Sequence, residues 1–200
     1  MRQLLLLILL VTGTFCYAQT YEENVVKCAQ TFQSSFDPRS SKVEQQFDQL
    51  RKCVIGLKFP SFKATTFDNR TYTQDDLKGK VVLINLWFIG CPPCVAEMPM
   101  FNELQNEFSR KDFVILSFGL DDHKSIEEFI QKRPISFSVF ANSEELIANK
   151  FKMSFGYPTN IFLDQNGQII YFMFGGALDE VGLKKTKEEF RNLIKKELSK

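Results

Sequence analysis

The sequence predicts an α/β domain in which a central sheet is flanked by helices, preceded by an N-terminal helical hairpin. Two apolar runs, VVLINLWF at 81–88 and DFVILSFGL at 112–120, have the pattern of strands that are covered on both faces. Each run is followed by a segment with apolar residues at helical spacing, at 94–109 and 125–133. A β-hairpin signal and a last helix come next, and this order of elements is typical of a layered α/β domain.

The first eighteen residues have the pattern of a secretory signal peptide. Arg2 is followed by LLLLILLVTG and then by small and polar residues up to Ala18. The apolar run is shorter than the about twenty residues that span a membrane. A lipoprotein anchor would require a small residue before Cys16, and Phe15 stands there instead. We therefore expect cleavage after Ala18 and export of a soluble protein to the bacterial periplasm or cell envelope.

The charge balance of the exported chain argues against a nucleic-acid partner. The full chain has 25 Lys and Arg against 24 Asp and Glu, and loss of residues 1–18 removes one Arg, which leaves 24 of each sign. A net charge near zero without a basic block offers no surface for a phosphate backbone.

Four cysteines remain after export: Cys28, Cys53, Cys91 and Cys94. An even number in an oxidising compartment favours disulfides, and three connectivities are possible. The spacing favours Cys28 with Cys53 and Cys91 with Cys94, because only two residues separate the second pair.

Residues 21–55 predict two helices joined by a turn. Apolar residues recur every three or four positions on both sides of FDPRSS, whose proline and serines are typical of a turn. A bond between Cys28 and Cys53 would tie the far ends of this hairpin together, and we interpret it as a structural disulfide. The hairpin belongs to an extension at 19–58 and precedes a domain at 59–200. Its role stays open between docking a partner, dimerisation and covering an edge of the sheet.

Shorter patterns predict the remaining elements of the domain. Extended pieces lie around Phe62 and Tyr72, before a turn at DDLKGK. A short helix is predicted at 144–151, and two strand-like runs with Asn-Gly between them at 161–174 predict a β-hairpin. The last helix carries Phe190, Leu193, Ile194 and Leu198.

We interpret the pair Cys91 and Cys94 as a redox-active dithiol. A zinc site needs three or four ligands, whereas the other cysteines are distant and His123 is the only histidine. Covalent haem attachment would need a histidine directly after Cys94, and Val95 stands there. A disulfide that closes so small a ring is restricted in geometry and readily reduced, so it suits a redox couple better than a structural link. We expect neither a metal nor a cofactor.

The position of Cys91 predicts different tasks for the two sulfurs. Cys91 falls between a strand and a helix, where the helix dipole and unpaired N–H groups stabilise a thiolate. Pro92 and Pro93 suit the first helical positions and leave the N–H of Cys94 as a donor to the Cys91 sulfur. Cys94 lies one turn inside and is expected to be shielded. Cys91 is therefore the attacking sulfur and Cys94 the resolving one.

Four features between residues 59 and 175 follow a known pattern. A Cys-x-x-Cys pair follows a strand, Pro99 stands eight residues after the first cysteine, and Glu97 stands three residues after the second. Pro158 lies in the sequence Tyr-Pro-Thr, directly before a strand. In these features the sequence resembles the TlpA/ResA-like thiol–disulfide oxidoreductases of bacterial envelopes.

The resemblance implies a thioredoxin-like fold and disulfide exchange with proteins through the CPPC dithiol. It implies that Glu97 is buried and catalytic and that Pro158 is a cis-proline that faces the dithiol. We expect Tyr157, Pro158 and Trp87 to bind the substrate. The implied partners are protein disulfides, with apocytochrome c among them, and a membrane thiol reductase that supplies electrons.

Gly90 departs from these relatives, the helical hairpin at 21–55 lies outside the resemblance, and Asn85 differs from cytosolic thioredoxins. Gly90 stands where family members usually carry Trp, which opens the surface beside the sulfur and affects the fit of the substrate. Cytosolic thioredoxins place a buried Asp six residues before the first cysteine, and Asn85 occupies that position. An amide does not take up a proton, so we assign the proton transfer to Glu97.

Three classes of function are compatible with these residues. We favour an exported oxidoreductase that acts as a reductant or an isomerase-like enzyme rather than as a strong oxidant, because the Pro-Pro dipeptide adds neither charge nor donor to over-stabilise a thiolate. A peroxiredoxin-like peroxidase would place Thr or Ser three residues before its reactive cysteine, where Phe88 stands. A copper-delivery protein without catalytic activity would require a histidine near the dithiol.

Overall fold

The computed structural model describes residues 20–200. The predicted signal peptide at 1–18, with its cleavage site after Ala18, lies outside the described residues. Within the described part, no helix has both the length and the apolar character needed to cross a membrane.

The described residues form five α-helices and seven strands, with two shorter helical turns. In chain order they are α1 (Tyr21–Ser35), α2 (Val43–Val54), β1 (Lys63–Thr65), β2 (Thr71–Thr73), a 3-10 turn (Gln74–Leu77), β3 (Val81–Trp87), α3 (Pro92–Glu107), β4 (Phe113–Gly119), α4 (His123–Lys132), β5 (Ser138–Phe140), a π-helical turn (Leu146–Phe151), β6 (Thr159–Leu163), β7 (Ile169–Phe174) and α5 (Glu180–Leu198).

A mixed five-stranded sheet forms the centre of the molecule. Its strand order is β5-β4-β3-β6-β7, and β1 and β2 form a separate antiparallel pair. The strands β3, β4 and β5 run parallel, whereas β6 pairs antiparallel with both β3 and β7. The hairpin of β6 and β7 is the one that the Asn-Gly turn predicts.

The two faces of the sheet are covered by different elements, because successive side chains of a strand point to opposite sides. Val82, Ile84 and Leu86 pack on one face with residues of α1 and α2. Val81 and Leu83 pack on the other face, against α3, α4 and α5. Every residue of β3 and β4 is buried, as expected for strands between two helical layers.

The N-terminal helices are part of the core. Val25, Leu50 and Val54 are 0–2% exposed and belong to the same apolar cluster as the sheet residues. The segment after α2 also lies along the edge of β7, since the N–H of Gly56 donates to Ile169 O at 2.7 Å. These contacts cover both a face and an edge of the sheet.

Aromatic rings join the N-terminal helices to the end of β7. Phe32 of α1 lies with its ring centroid 5.9 Å from that of Phe174, and Phe47 of α2 lies 4.8 Å from it. Both pairs are edge-to-face, the geometry that aromatic quadrupoles favour. We call Phe32, Phe47 and Phe174 the hairpin aromatic cluster.

Three local elements differ from the prediction. The strand β5 was not predicted, because its three residues are too few to show a period. The helix predicted at 144–151 is present, but its last six residues, Leu146–Phe151, form a π-helical turn. The helix predicted at 94–109 begins earlier, at Pro92, because both prolines occupy its first turn.

A disulfide joins α1 to α2. It links Cys28 and Cys53, whose Cα atoms lie 5.8 Å apart and which are 25 residues apart in the sequence. Cys28 is buried, whereas Cys53 lies on the exposed side of α2.

We expect this bond to persist when the active-site pair is reduced. In the chain-entropy model, closing a loop of 25 residues stabilises the fold by about 3 kcal/mol, and the folded helices keep the two sulfurs together after any transient opening. Peptide mapping after mild reduction should recover Cys28 bonded to Cys53 and free thiols at Cys91 and Cys94. A double Ala variant at 28 and 53 should unfold at lower denaturant concentration. Free Cys28 in the folded, mildly reduced protein would contradict this expectation.

Candidate active site

The two active-site cysteines lie where β3 gives way to α3. Cys91 is the N-cap residue of α3, and its Sγ accepts a hydrogen bond from the N–H of Cys94 at 3.3 Å. The two sulfurs form a disulfide, with their Cα atoms 5.3 Å apart. Cys91 keeps 4% of its surface exposed and Cys94 none. A substrate therefore reaches the first sulfur before the second.

A cis-proline lies near Pro93, one of the two prolines between the cysteines, because both prolines border Gly176. The peptide bond between Tyr157 and Pro158 is cis, and Pro158 is buried. Tyr157 is half-buried and packs against both apolar clusters of the protein, including the one that contains the two active-site cysteines. Its ring lies edge-to-face on Phe88, with centroids 5.5 Å apart.

Glu97 is a buried acid one turn after Cys94 on α3. Its side chain is 0% exposed, and its Oε2 accepts a hydrogen bond from the Asn160 amide at 3.0 Å. Its Oε1 is buried without a hydrogen-bond partner among residues 20–200. Burial raises the pKa of Glu97 from 4.5 to about 7, and the Asn160 hydrogen bond acts in the opposite direction. The carboxyl group therefore titrates near neutral pH.

Gly176 closes the site over this carboxyl group. A methyl group added there would lie 2.8 Å from Glu97 Oε1, 3.1 Å from Pro158 Cγ and 3.3 Å from Pro93 Cβ. The backbone approaches these three side chains so closely that only glycine fits without displacing them. The loop after β7 thus holds the acid, the cis-proline and the proline between the cysteines in one small volume.

Asn85 and Asn160 connect Glu97 to the centre of the sheet. The Asn85 amide donates to Asn160 Oδ1 at 3.0 Å, and Ser117 Oγ donates to Asn85 Oδ1 at 2.8 Å. The prediction included Asn85 but neither Asn160 nor Ser117. The signal that marks all three is a polar residue among the apolar residues of a buried strand, although β6 also contains the polar Thr159.

Trp87 does not contribute to a substrate-binding surface, and this part of the prediction is corrected. Its side chain is 0% exposed and packs against Phe129 of α4, with ring centroids 5.3 Å apart. It lies at the end of β3, where the sheet is still covered by a helix. A ring with no exposed surface cannot contact a protein substrate in this structure.

Gly90, the residue before Cys91, borders an open cavity. The cavity has a volume of about 360 Å³, and its lining includes Ile89, Asp121, Phe129 and Arg133. Neither Cys91 nor Cys94 lines this cavity, so the opening of the surface next to the sulfur by Gly90 stays a prediction.

His123 begins α4 and is exposed. Its Nε2 lies 3.1 Å from the carbonyl oxygen of Phe67. In the described part of the chain, no group of three or more His, Cys, Asp or Glu side chains is arranged to hold a metal ion.

The fold and the dithiol together define a class of enzyme. A thiolate that is stabilised at a helix N-terminus attacks a disulfide, and the neighbouring thiol then displaces the product. This is the chemistry of a thiol–disulfide oxidoreductase with a thioredoxin-like fold.

Comparison with known proteins agrees with this class. Residues 55–172 match the model of the AhpC/TSA family. ResA, a thiol-disulfide oxidoreductase of Bacillus thuringiensis, is 27% identical over 151 residues, which cover 75% of this chain and 82% of the relative. The thioredoxin-like protein YneN of Bacillus subtilis is 31% identical over 117 residues, which cover 57% of this chain and 68% of the relative. A thiol:disulfide interchange protein of Chlorobium tepidum has a similar structure, with a TM-score of 0.60 and 23% identity over 70% of this chain and 95% of that one.

The chain belongs to the AhpC/TSA family, and within it to the TlpA/ResA-like thiol–disulfide oxidoreductases. The predicted resemblance, the thioredoxin-like fold and the predicted class of enzyme are confirmed.

Proposed function

We propose that this oxidoreductase is exported to the bacterial periplasm or cell envelope and acts there as a reductant of protein disulfides. The observation that carries the proposal is the position of Cys91, whose sulfur caps α3 and accepts the Cys94 N–H at 3.3 Å. No charged side chain of the first turn adds to this stabilisation, since α3 has neither an acidic nor a basic residue there. A moderately stabilised thiolate favours donation of electrons over their withdrawal.

The proposed reaction moves two electrons from the dithiol to the substrate. The Cys91 thiolate attacks one sulfur of the substrate disulfide, and a mixed disulfide forms while the other substrate sulfur leaves and takes up a proton. Cys94 then loses its proton and attacks Cys91 Sγ, which releases the second substrate thiolate. The products are a substrate dithiol and the Cys91–Cys94 disulfide seen in the structure.

Glu97 is the proposed base for the second step. Cys94 is fully buried, so its proton needs an acceptor inside the protein. A carboxyl group with a pKa of about 7 is charged in part of the molecules at neutral pH and exchanges protons readily in either direction. When the disulfide is reduced again, the same group returns the proton to the departing Cys94 sulfur.

Tyr157 and Pro158 are the proposed substrate-binding residues. The Pro158 carbonyl is already used, because it accepts the N–H of Gly175 at 2.8 Å. No backbone hydrogen bond of Tyr157 occurs within the described residues. The backbone N–H and C=O groups of Tyr157 are therefore available to an extended substrate segment, which would pair with them as an added strand. The substrate disulfide would then lie against Cys91.

The proposed partners follow from the resemblance. Protein disulfides are the substrate class, and apocytochrome c is the specific substrate we propose. A membrane thiol reductase would return two electrons to the Cys91–Cys94 disulfide after each turnover.

The other two function classes gain no support at the site. The position three residues before Cys91 carries the Phe88 ring, which packs on Tyr157 and has no hydroxyl group for a peroxide. The only histidine, His123, contacts Phe67 rather than the dithiol.

The direction of electron flow is the test of this function. Enzyme that is mildly reduced, so that only the Cys91–Cys94 disulfide is opened, and then freed of reductant should convert a model protein disulfide such as insulin to thiols. Two substrate thiols should form for each enzyme molecule consumed. A Cys91→Ser variant prepared in the same way is the control and should form none. Reduced enzyme that leaves the substrate intact, together with oxidised enzyme that rapidly forms disulfides in a reduced protein, would show an oxidant instead.

A further inference from the structure

Three buried polar residues lie in one row across the sheet. Asn85 of β3 is the register partner of both Ser117 in β4 and Asn160 in β6. All three are 0% exposed, and apart from Thr159 and Gly119 the other residues of their strands are apolar. Glu97 of α3 lies at the end of this row. A row of polar side chains in the middle of a sheet is costly unless each member is hydrogen-bonded.

The hydrogen bonds of the row all run towards Glu97. Ser117 Oγ donates to Asn85 Oδ1 at 2.8 Å, and the Asn85 amide donates to Asn160 Oδ1 at 3.0 Å. The Asn160 amide donates to Glu97 Oε2 at 3.0 Å. Each residue thus presents its donor to the next one and its acceptor to the one before.

The ionised form of Glu97 requires this direction. A carboxylate only accepts hydrogen bonds, so Asn160 must turn its NH₂ group towards Glu97 and its oxygen towards Asn85. Asn85 must then donate to Asn160, and its own oxygen is left for Ser117. A carboxylate at position 85 would reverse the order, because it would accept from Asn160 and turn the oxygen of that amide towards Glu97.

We propose that Ser117, Asn85 and Asn160 form a positioning chain that holds the Asn160 N–H on Glu97 and so sets the pH at which Glu97 releases its proton. The catalytic importance of this pH rests on the proposed function, whereas the positioning chain of hydrogen bonds does not depend on it. Asn85, at a position where cytosolic thioredoxins carry an acid, acts here through its orientation of Asn160.

Other titratable groups near Glu97 do not replace this control. Tyr171 of β7 is electrostatically coupled to Glu97, and burial raises its pKa well above the usual range, so it stays protonated between pH 5 and 9. Glu189 of α5 and Arg51 of α2 act on Tyr171. Cys94, on the same helix as Glu97, does not titrate while it is in the disulfide.

The test measures the titration of Glu97 in the oxidised protein. Carboxyl ¹³C shifts of Glu-labelled protein give its midpoint, and the Glu97→Gln variant identifies the signal. In Asn160→Leu the midpoint should rise by about one unit, the size expected for losing one hydrogen bond to a charged group. Asn85→Asp should also raise it, and Ser117→Ala should raise it less. Ser138→Ala removes another buried hydroxyl, hydrogen-bonded to Tyr72, and should leave the midpoint unchanged.

A double variant separates the amide from simple charge repulsion. If Asn85→Asp acts by turning Asn160, its effect should largely disappear in the Asn160→Leu background. An equal effect in both backgrounds would overturn the proposal, and so would a wild-type midpoint in Asn85→Asp and Asn160→Leu. If Asn160→Leu does not fold, the Asn85→Asp and Ser117→Ala variants still test the proposal. A Glu97 midpoint that is unchanged in both variants would refute the positioning chain. The titration needs no turnover, so a protein that fails to reduce disulfides but shows these shifts would contradict the proposed function and support the chain.

Discussion

Replacement of Cys91 by serine is expected to abolish disulfide reduction, with a loss of at least about a thousandfold. The reason is geometric, because Cys91 is the sulfur at the N-terminus of the 16-residue helix α3 and the one that accepts the Cys94 N–H. Cys94→Ser keeps this sulfur and removes the resolving one. That variant should therefore accumulate as a mixed disulfide with the substrate, which non-reducing electrophoresis and mass spectrometry detect.

Alkylation of the reduced wild-type protein checks the same asymmetry without a substrate. At pH 7, iodoacetamide should modify Cys91 at least about tenfold faster than Cys94, because the thiolate reacts and the second sulfur is buried. The bonded Cys28 and Cys53 serve as internal controls and should stay unmodified. Faster labelling of Cys94, or a trapped complex through Cys94 in the Cys91→Ser variant, would reverse the assignment.

Glu97→Gln is expected to slow the steps that involve Cys94 and to flatten the pH dependence of disulfide reduction between pH 5 and 9. Glutamine keeps the shape of the side chain and removes the group with a pKa of about 7. The reactivity of Cys91 towards iodoacetamide should persist. Single-turnover kinetics separate attack from resolution, and superimposable profiles of the two proteins would mean that Glu97 carries no proton in the reaction.

The same substitution should stabilise the protein at high pH. Because the folded pKa of Glu97 is raised from 4.5, the stability linked to its proton is complete below about pH 4.5 and is lost as the pH rises through 7. A rise from 4.5 to about 7 corresponds to roughly 3 kcal/mol. In denaturant unfolding, the free energy of unfolding of Glu97→Gln, relative to that of wild type, should therefore increase between pH 5 and pH 8.

Glu103→Gln is the matched control for both measurements. Glu103 lies on the same helix but is exposed, and its carboxylate pairs with Lys187 at 2.7 Å. An exposed ion pair contributes about 0–1 kcal/mol, so this variant should follow the pH dependence of wild type. An equal gain for both variants at pH 8 would mean that burial of Glu97 is not the cause.

The local parts of the site were predictable from the sequence, and the parts that depend on strand register were not. The position of Cys91 follows from the junction of an apolar strand with a Pro-Pro helix start. The partner of Glu97 does not, because Asn160 is 63 residues away and reaches it only through the pairing of β6 with β3. No local pattern encodes that register.

Trp87 and β5 show a second limit of sequence patterns. A strand that is covered on both faces is apolar throughout, so its sequence does not reveal which side chains reach the surface, and the buried Trp87 was placed there wrongly. The strand Ser138–Phe140 depends on pairing with β4 and on the hydrogen bond between Ser138 and Tyr72, both of which are long-range contacts. The family resemblance, rather than a local pattern, identified Glu97 and Pro158.

The hairpin aromatic cluster makes residues 20–58 relevant to any attempt at miniaturising this enzyme. Phe174, which the N-terminal helices hold in place, lies 3.3 Å from the point that a methyl group on Gly156 would occupy. Gly156 leads into the cis-proline, and Phe174 leads through Gly175 to Gly176, which closes over Glu97. A truncated version that starts at residue 59 would lack Phe32 and Phe47, which pack on Phe174. Both the segment before the cis-proline and the segment before Gly176 would lose this support. A minimal catalyst built from this chain must therefore retain both N-terminal helices, although neither contributes an atom to the chemistry.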